Sequence, residues 1–243
     1  MTGGSSGIGR ATALAFAREG ARVVVANRGV AGGEETVRLI GERGGEALFV
    51  QTDVARSADV EALVATAVER YGRLDFAFNN AGNGVRAHTA DITEEQWDDM
   101  IDVNLKGVWL CMWHEILQML PRGGGAIVNM SSMVGMVGLP GNAAYTAAKH
   151  GVAGLTRVAA REYAGAGIRI NAVCPGFIEA PMTAWDDPAT VGQVSALTAL
   201  GRMGGPEEVA EAVIWLCSDA ASHATGHPLV VDGGVLAALP LAW

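Results

Sequence analysis

Tyr145 and Lys149 stand four residues apart in Tyr145-Thr146-Ala147-Ala148-Lys149, and Lys149 is one of only two lysines in the 243-residue chain, the other being Lys106. A helix places side chains at this spacing on one face, within reach of each other. The chemistry that uses such a pair is proton transfer at an oxygen. A free phenol, with a pKa of about 10, is a poor base at neutral pH, and a nearby ammonium favours the phenolate. At about 4 Å and an effective dielectric of about 20 the attraction is about 4 kcal/mol, roughly three pK units, which poises Tyr145 near working pH. The same spacing suits an ordinary helical tyrosine beside a solvated lysine, so the rest of the chain has to decide.

A second constellation opens the chain. Thr2-Gly3-Gly4-Ser5-Ser6-Gly7-Ile8-Gly9 leads into a helical pattern. Its backbone N–H groups and the helix dipole can receive a diphosphate, and glycine permits the tight turn and close ligand approach. The spacing Gly-x-x-x-Gly-x-Gly differs from the usual dinucleotide fingerprint, and by itself it is also compatible with a simple tight turn.

The elements that must position these residues are short apolar runs alternating with helical patterns, the signature of β-α-β units around a parallel sheet. Strands are predicted at Val23 to Ala26, Ala47 to Gln51, Leu74 to Phe78, Ala126 to Met130, Ile168 to Val173 and Leu229 to Val231. Helices are predicted at Ile8 to Arg18, Glu34 to Arg43, Ala58 to Tyr71, Glu94 to Leu120, Ala143 to Tyr163 and Glu207 to Ser218. Thr93 with Gln96 makes a capping box, and Pro206 suits a first helical turn. No linker or repeat divides the chain, which reads as one dinucleotide-binding and catalytic domain over 1–243. A glycine-rich turn of this kind follows a buried first strand, yet only Met1 precedes Thr2. Either the start is assigned too late or the sheet has a gap beside the strand at Val23. The first is preferred, because a gap leaves unpaired backbone groups indoors.

Composition excludes several classes. Half the residues are hydrophobic, but no apolar run approaches the ~18 residues of a spanning helix. Met1-Thr2-Gly3-Gly4 shows no secretory signal, so a cytoplasmic protein is expected. Cys111, Cys174 and Cys217 lack metal or redox spacing, and His88, His114, His150, His223 and His227 are dispersed, so no structural metal is expected. A net charge of −9 with scattered basic residues argues against nucleic acid and anionic membranes as partners.

The turn at Thr2 to Gly9, Asn79-Asn80-Ala81-Gly82, Asn104-Leu105-Lys106-Gly107, Ser131-Ser132, Tyr145-x-x-x-Lys149 and Cys174-Pro175-Gly176 occur together and in order. In this the chain resembles the short-chain dehydrogenase/reductase family over essentially its whole length. The resemblance implies a doubly wound, mostly parallel α/β sheet with helices on both faces, a nicotinamide dinucleotide, and hydride transfer at a carbonyl carbon. It places catalytic roles on Asn104, Ser132, Tyr145 and Lys149. Ser132 hydrogen-bonds the substrate oxygen, Tyr145 gives or takes its proton, Lys149 tunes the tyrosine and holds the nicotinamide ribose, and Asn104 fixes a relay water. Ser132 is chosen over Ser131 because the family's serine lies thirteen positions before its tyrosine, and strand alternation turns Ser131 away.

For the dinucleotide, the resemblance implies contacts from Gly3, Ser5, Ser6, Gly7, Ile8 and Gly9 in the turn. It adds Asn27 and Arg28 after a strand, Asp53 and Val54, then Asn80, Ala81 and Gly82, besides Tyr145 and Lys149. Pro175, Gly176, Ile178 and Thr183 match the loop over the nicotinamide. Asp53 could equally cap the helix near Ser57. Asn27-Arg28 stands where an acid would select NAD(H), and a guanidinium suits a 2′-phosphate, so NADP(H) is favoured with NAD(H) as the alternative. Met133, Val134, Met136, Leu139, Met182, Trp185, Val194 and Leu197 are read as an apolar substrate wall with few charges, namely Glu179, Asp186 and Asp187, which suits an apolar ketone or secondary alcohol; Met133 and Met136 could equally fill gaps in the core. A 3-oxoacyl thioester (acyl-carrier-protein) reductase is the alternative, and a nucleotide-sensing protein without turnover a more distant one. Small residues Ala147, Ala148, Gly151, Ala153 and Gly154 let another helix approach closely, or equally serve packing on the chain's own sheet; the resemblance implies that this helix and its neighbour near Trp109 to Leu120 pair between subunits, giving a homodimer or homotetramer.

Overall fold

The computed structural model describes residues 1–181 and 187–237. Its strands are β1 (Val23–Asn27), β2 (Ala47–Gln51), β3 (Phe76–Asn79), β4 (Gly125–Met130), β5 (Ile168–Pro175) and β6 (Pro228–Val231), and every paired strand runs parallel to its neighbour. Between them run α1 (Gly7–Arg18), α2 (Val30–Glu42), α3 (Ser57–Tyr71), α4 (Glu94–Ile101), α5 (Gly107–Met119), α6 (Ala143–Tyr163), α7 (Pro188–Ala196) and α8 (Pro206–Cys217). The capping box at Thr93 and Gln96 is formed, and Pro206 occupies the first turn of α8.

Both faces of the sheet are covered, which is why its strands are apolar on both sides. Val25, Phe78, Val128 and Val173 pack on Phe16 of α1 and Val209, Val213 and Leu216 of α8. Ala77, Ile127, Ile168 and Ile170 face the other way, against Met112, Ile116 and Met119 of α5 and Ala159 and Ala160 of α6. Adjacent residues such as Ile127 and Val128 enter opposite layers, as the period of two requires.

The strands form a pair, β1-β2, and a four-stranded sheet, β3-β4-β5-β6. Between them lies the gap considered from the sequence. Met1 and Thr2 bridge only its mouth: Thr2 pairs in parallel with both Ala26 and Asn79, its N–H donates to Phe78 O at 3.0 Å, and Ala26 N–H donates to Met1 O at 3.0 Å. Behind them the strands part around a cleft of about 260 Å3 lined by Phe16, Val23, Leu63, Phe76 and Glu115 among others. The Met1 amino group donates to Val24 O at 2.8 Å, and burial lowers its pKa while the charge of Glu115 opposes that shift. The order of the strands reverses across this gap, with β2 outside β1 on one side and β4 to β6 beyond β3 on the other. This is the switch point at which open α/β sheets bind ligands.

The helix predicted at Glu94 to Leu120 is interrupted. Residues Asp102–Lys106 form a π-helical turn between α4 and α5, a local widening common at functional sites. Asn104 sits in it. Helix α7 was not predicted, although Asp187 caps it by accepting from Ala189 and Thr190 N–H, both at 3.1 Å, and Pro188 begins it. No helix among the described residues is long and apolar enough to cross a membrane.

Candidate active site

The C-terminal ends of β1, β3, β4 and β5 open on one cleft of about 370 Å3. Its floor is the glycine turn. Gly3 has φ +66°, and a Cβ there would stand 2.6 Å from Asn80 Nδ2, while one on Gly9 would stand 2.0 Å from Gly3 O. The turn can therefore close only with glycine at these two positions. Asn80 staples it: its side-chain amide donates to Thr2 O at 3.1 Å and Gly3 O at 3.0 Å, while Asn80 and Ala81 N–H both donate to Thr2 Oγ1 at 3.1 Å. Helix α1 starts from Ser6 with no side-chain cap and no acid in its first turn. Uncapped donors with no competing carboxylate are what a diphosphate needs, so this end of the cleft fits a dinucleotide.

Ser131 and Ser132 diverge as alternation requires. Ser131 is buried and donates to Lys149 O at 3.0 Å. Ser132 faces the cleft and accepts from Val134 N–H at 3.3 Å, and its hydroxyl interacts electrostatically with that of Tyr145. Burial pushes Tyr145 up to about 12, with the Ser132 hydroxyl acting against it. This differs from the expectation that Lys149 brings the phenol near neutrality. The Lys149 ammonium lies over the ring, 5.4 Å from its centroid, and donates to Met130 O at 2.8 Å instead of to the hydroxyl. Lys149 is 1% exposed, and burial lowers its pKa to about 8.

Asn104 is fully buried. Its amide nitrogen donates to Met100 O at 3.1 Å and to both oxygens of Asn83. Its Oδ1 has no partner and points at Gly82, where a Cβ would come within 2.8 Å of it. An acceptor held in this way is suited to a bound water.

The cleft brings together Gly3, Ser5, Ser6, Gly7, Ile8, Gly9, Asn27, Arg28, Asp53, Val54, Asn80, Ala81, Gly82, Asn104, Ser132, Tyr145, Lys149, Pro175, Gly176 and Ile178. Thr183 lies outside the described residues, as do Met182, Trp185 and Asp186 of the expected substrate wall. Asp53 does not cap α3; its Oδ1 accepts from Ala55 N–H at 3.1 Å in a local turn. Asn27 donates from Nδ2 to Gly29 O, leaving Oδ1 without a partner.

The described part of the expected substrate wall divides between core and surface. Met133 and Val134 are buried at 6% and 3% exposure, in a short helical turn packed on α6. They fill the core, because the turn after Ser132 points them inward. Met136, Leu139 and Leu197 are exposed, but none lines the cleft. Gly29, Thr52, Val103, Ser131, Ala180 and Pro181 line it without having been foreseen. Thr52 was within reach of the sequence, directly before Asp53, whereas Ala180 and Pro181 arrive only because the chain folds back over Gly7.

A family model described as Enoyl-(Acyl carrier protein) reductase matches residues 3–236. The cyclohexanol dehydrogenase of Acinetobacter sp. (strain SE19) is 44% identical over 96% of this chain and 92% of its own. A 2,5-dichloro-2,5-cyclohexadiene-1,4-diol dehydrogenase of Sphingobium indicum is 43% identical over 98% of this chain and 96% of its own. The crystal structure of a point variant of actinorhodin polyketide ketoreductase with NADPH superposes with a TM-score of 0.93 at 39% identity, covering 96% of this chain and 95% of that one.

Proposed function

Because the chain belongs to the short-chain dehydrogenase/reductase family, whose members are NAD(P)-dependent oxidoreductases of carbonyl and alcohol substrates, we propose that it interconverts a secondary alcohol on a six-membered carbocycle with its ketone. The observation that carries this reading is that Ser132, Tyr145 and Lys149 line one cleft, with the Lys149 ammonium against the tyrosine ring. The substrate class is supported by relatives named for cyclohexanol and a cyclohexadiene diol.

A nicotinamide dinucleotide, when bound, supplies or accepts the hydride. The chain's own residues handle the proton and the orientation. Tyr145 Oη, held protonated at neutral pH by a pKa pushed up to about 12, donates to the substrate oxygen in reduction and takes the proton back in oxidation. Ser132 Oγ hydrogen-bonds that same oxygen and fixes its distance from Tyr145. Lys149 has three N–H donors and spends one on Met130 O, which leaves two for ribose hydroxyls. Asn104 Oδ1 holds the water through which the proton is replenished. The turn from Gly3 to Gly9 holds the diphosphate, with Asp53, Val54, Asn80, Ala81 and Gly82 beside it, and Pro175, Gly176, Ile178 and Thr183 close the nicotinamide end.

NADP(H) is the preferred coenzyme on the strength of Arg28, which lines the cleft where an acid would have excluded a 2′-phosphate. Three free, buried cysteines are in keeping with a reducing, cytoplasmic setting. Trp109 and Trp113 stack on α5 with centroids 5.7 Å apart, each 45% exposed, and Leu117 and Val158 lie bare as well. Such a patch supports pairing with a second copy, which sedimentation showing only monomers at micromolar concentration would refute. Of the small residues on α6, Ala148 and Ala153 are buried within the chain and Gly151 abuts Leu105, leaving Ala147 and Gly154 for a neighbour.

A 3-oxoacyl thioester reductase is the second reading, favoured by the acyl-carrier description of the family model. The deciding experiment measures kcat/KM for cyclohexanol, cyclohexanone and a 3-oxoacyl thioester with both coenzymes, in the natural protein and in Tyr145→Phe. Cyclic substrates should be turned over and lose about a hundredfold or more in the variant, with coenzyme affinity nearly unchanged. Turnover of the thioester alone would replace the ring-alcohol reading, and full activity in Tyr145→Phe would end the mechanism.

A further inference from the structure

We propose that Arg10 is a coenzyme-selecting residue: it locks Ser5 against the first turn of α2 and adds a second positive charge beside Arg28, favouring NADP(H) over NAD(H). The inference rests on the NADP(H) reading and extends it from the glycine turn, where Gly4, Ser5 and Ser6 carry no basic group, to the helix that follows.

Arg10 stands in the first turns of α1 and folds back over the glycine turn. Its Nη2 donates to Ser5 O and, at 3.4 Å, to Gly32 O, and its Nε donates to Thr36 Oγ1 at 3.1 Å. Thr36 is fully buried and passes the connection on, donating to Gly4 O at 2.8 Å. Every acceptor in this set is neutral. Among the described residues no carboxylate pairs with Arg10. The acid whose titration feels its charge, Glu35, spends both oxygens on Arg38 at 2.7 and 2.8 Å. A half-buried guanidinium without a counter-ion leaves its positive potential for a ligand.

That potential is placed at the Asn27–Arg28 end of the cleft. Ser5, Arg28 and Gly29 line it, and Ser5 packs so closely on α2 that a Cβ at Gly32 would lie 2.9 Å from the Ser5 Cβ. Helix α2 begins from Gly29 with no side-chain cap and no acid in its first turn. Arg10 and the uncapped start of α2 thus lie against Ser5, in a cleft that Arg28 also lines. The diphosphate is common to both coenzymes, so a charge that served only it would favour neither. A charge gathered beside Arg28 distinguishes the coenzyme that carries the additional phosphate.

Binding of NADPH and NADH is measured by fluorescence titration at low and high salt for the natural protein, Arg10→Lys, Arg10→Gln and Arg28→Ala. Lysine keeps the charge without the fork, and glutamine keeps donors without the charge. Arg10→Gln should weaken NADPH about tenfold at low salt and NADH less than about twofold, whereas Arg10→Lys keeps most of the preference. Equal weakening of both coenzymes in Arg10→Gln, or loss of the preference in Arg10→Lys as complete as in Arg10→Gln, would reduce Arg10 to a clamp and overturn the proposal. If Arg10→Gln does not fold, the lysine variant and the salt dependence of the natural preference decide. A natural protein that already prefers NADH and is indifferent to Arg28→Ala fails the NADP(H) reading itself and takes the Arg10 inference with it. A natural preference for NADPH combined with indifference to both Arg10 variants fails the inference alone.

Discussion

Replacing Glu115 by glutamine should make the protein more stable above neutrality and remove much of a pH dependence that the fold carries. Glu115 of α5 is 6% exposed. It accepts from Asn79 Nδ2 at 2.9 Å, and Asn79 in turn donates to Asn129 Oδ1 at 3.0 Å, whose own amide reaches Thr156 Oγ1 at 3.0 Å. Burial raises Glu115 from 4.5 to about 7, against the Asn79 hydrogen bond and the Met1 ammonium. The partnerless Asn79 Oδ1 adds a reason: it is an acceptor beside a carboxylate, which only a protonated Glu115 could satisfy.

A folded pKa raised above the unfolded one means that the stabilisation is complete below pH 4.5 and is lost as pH climbs through about 7. The net shift, with the opposing Met1 ammonium and Asn79 hydrogen bond already included, corresponds to about 3 kcal/mol. Glutamine matches the protonated acid in shape and can both accept from Asn79 Nδ2 and donate to its Oδ1. Glu115→Gln should therefore lie within about 1 kcal/mol of the natural protein at pH 5 and exceed it by about 3 kcal/mol, or about 6–12 °C in melting temperature, at pH 8. Urea unfolding of both proteins from pH 5 to 8.5 makes the comparison, and titrating groups that do not interact with Glu115 cancel in the difference. A difference that stays flat across that range, or a variant less stable at pH 8, would refute the reasoning.

Gly9→Ala should abolish dinucleotide binding and cost about 2–4 kcal/mol, since its methyl would stand 2.0 Å from Gly3 O; a variant that titrates coenzyme normally would show that the turn opens freely.

The sequence made the parallel sheet legible because each strand is a short apolar run set between marked helices, and a strand buried on both faces has to be written that way. Six strands were found within a few residues of their limits, and six predicted helical segments fall on helices, the longest spanning two. Asp187-Pro188 was as clear a start as Thr93 or Pro206, but no apolar periodicity follows it in α7, which buries no residue. The π turn at Asp102–Lys106 escaped because its pattern is helical and only the third dimension reveals the widening. Side-chain direction was the weaker inference wherever no periodic element governs it. Alternation correctly separated Ser131 from Ser132, yet one residue later the chain turns and Met133 and Val134 go into the core.

Arg10 was overlooked for a related reason. Side chains on a helix lean toward its N-terminus, so a residue several positions into α1 covers the turn that precedes it. A search for charge confined to the loop misses the helix that follows. The cleft itself is lined by two very different cations, Arg28 and Lys149. An arginine keeps its charge wherever it sits. Lys149, buried and tied by one hydrogen bond, has a pKa lowered to about 8 beside a phenol raised to about 12. Those two values are set by burial, so whatever solvates or charges the space around them changes both. The proton on Tyr145 is thus stable in the cleft as described, and an ammonium that is readily perturbed lies under its ring. A phenol so arranged keeps its proton at neutral pH until something enters the space around it.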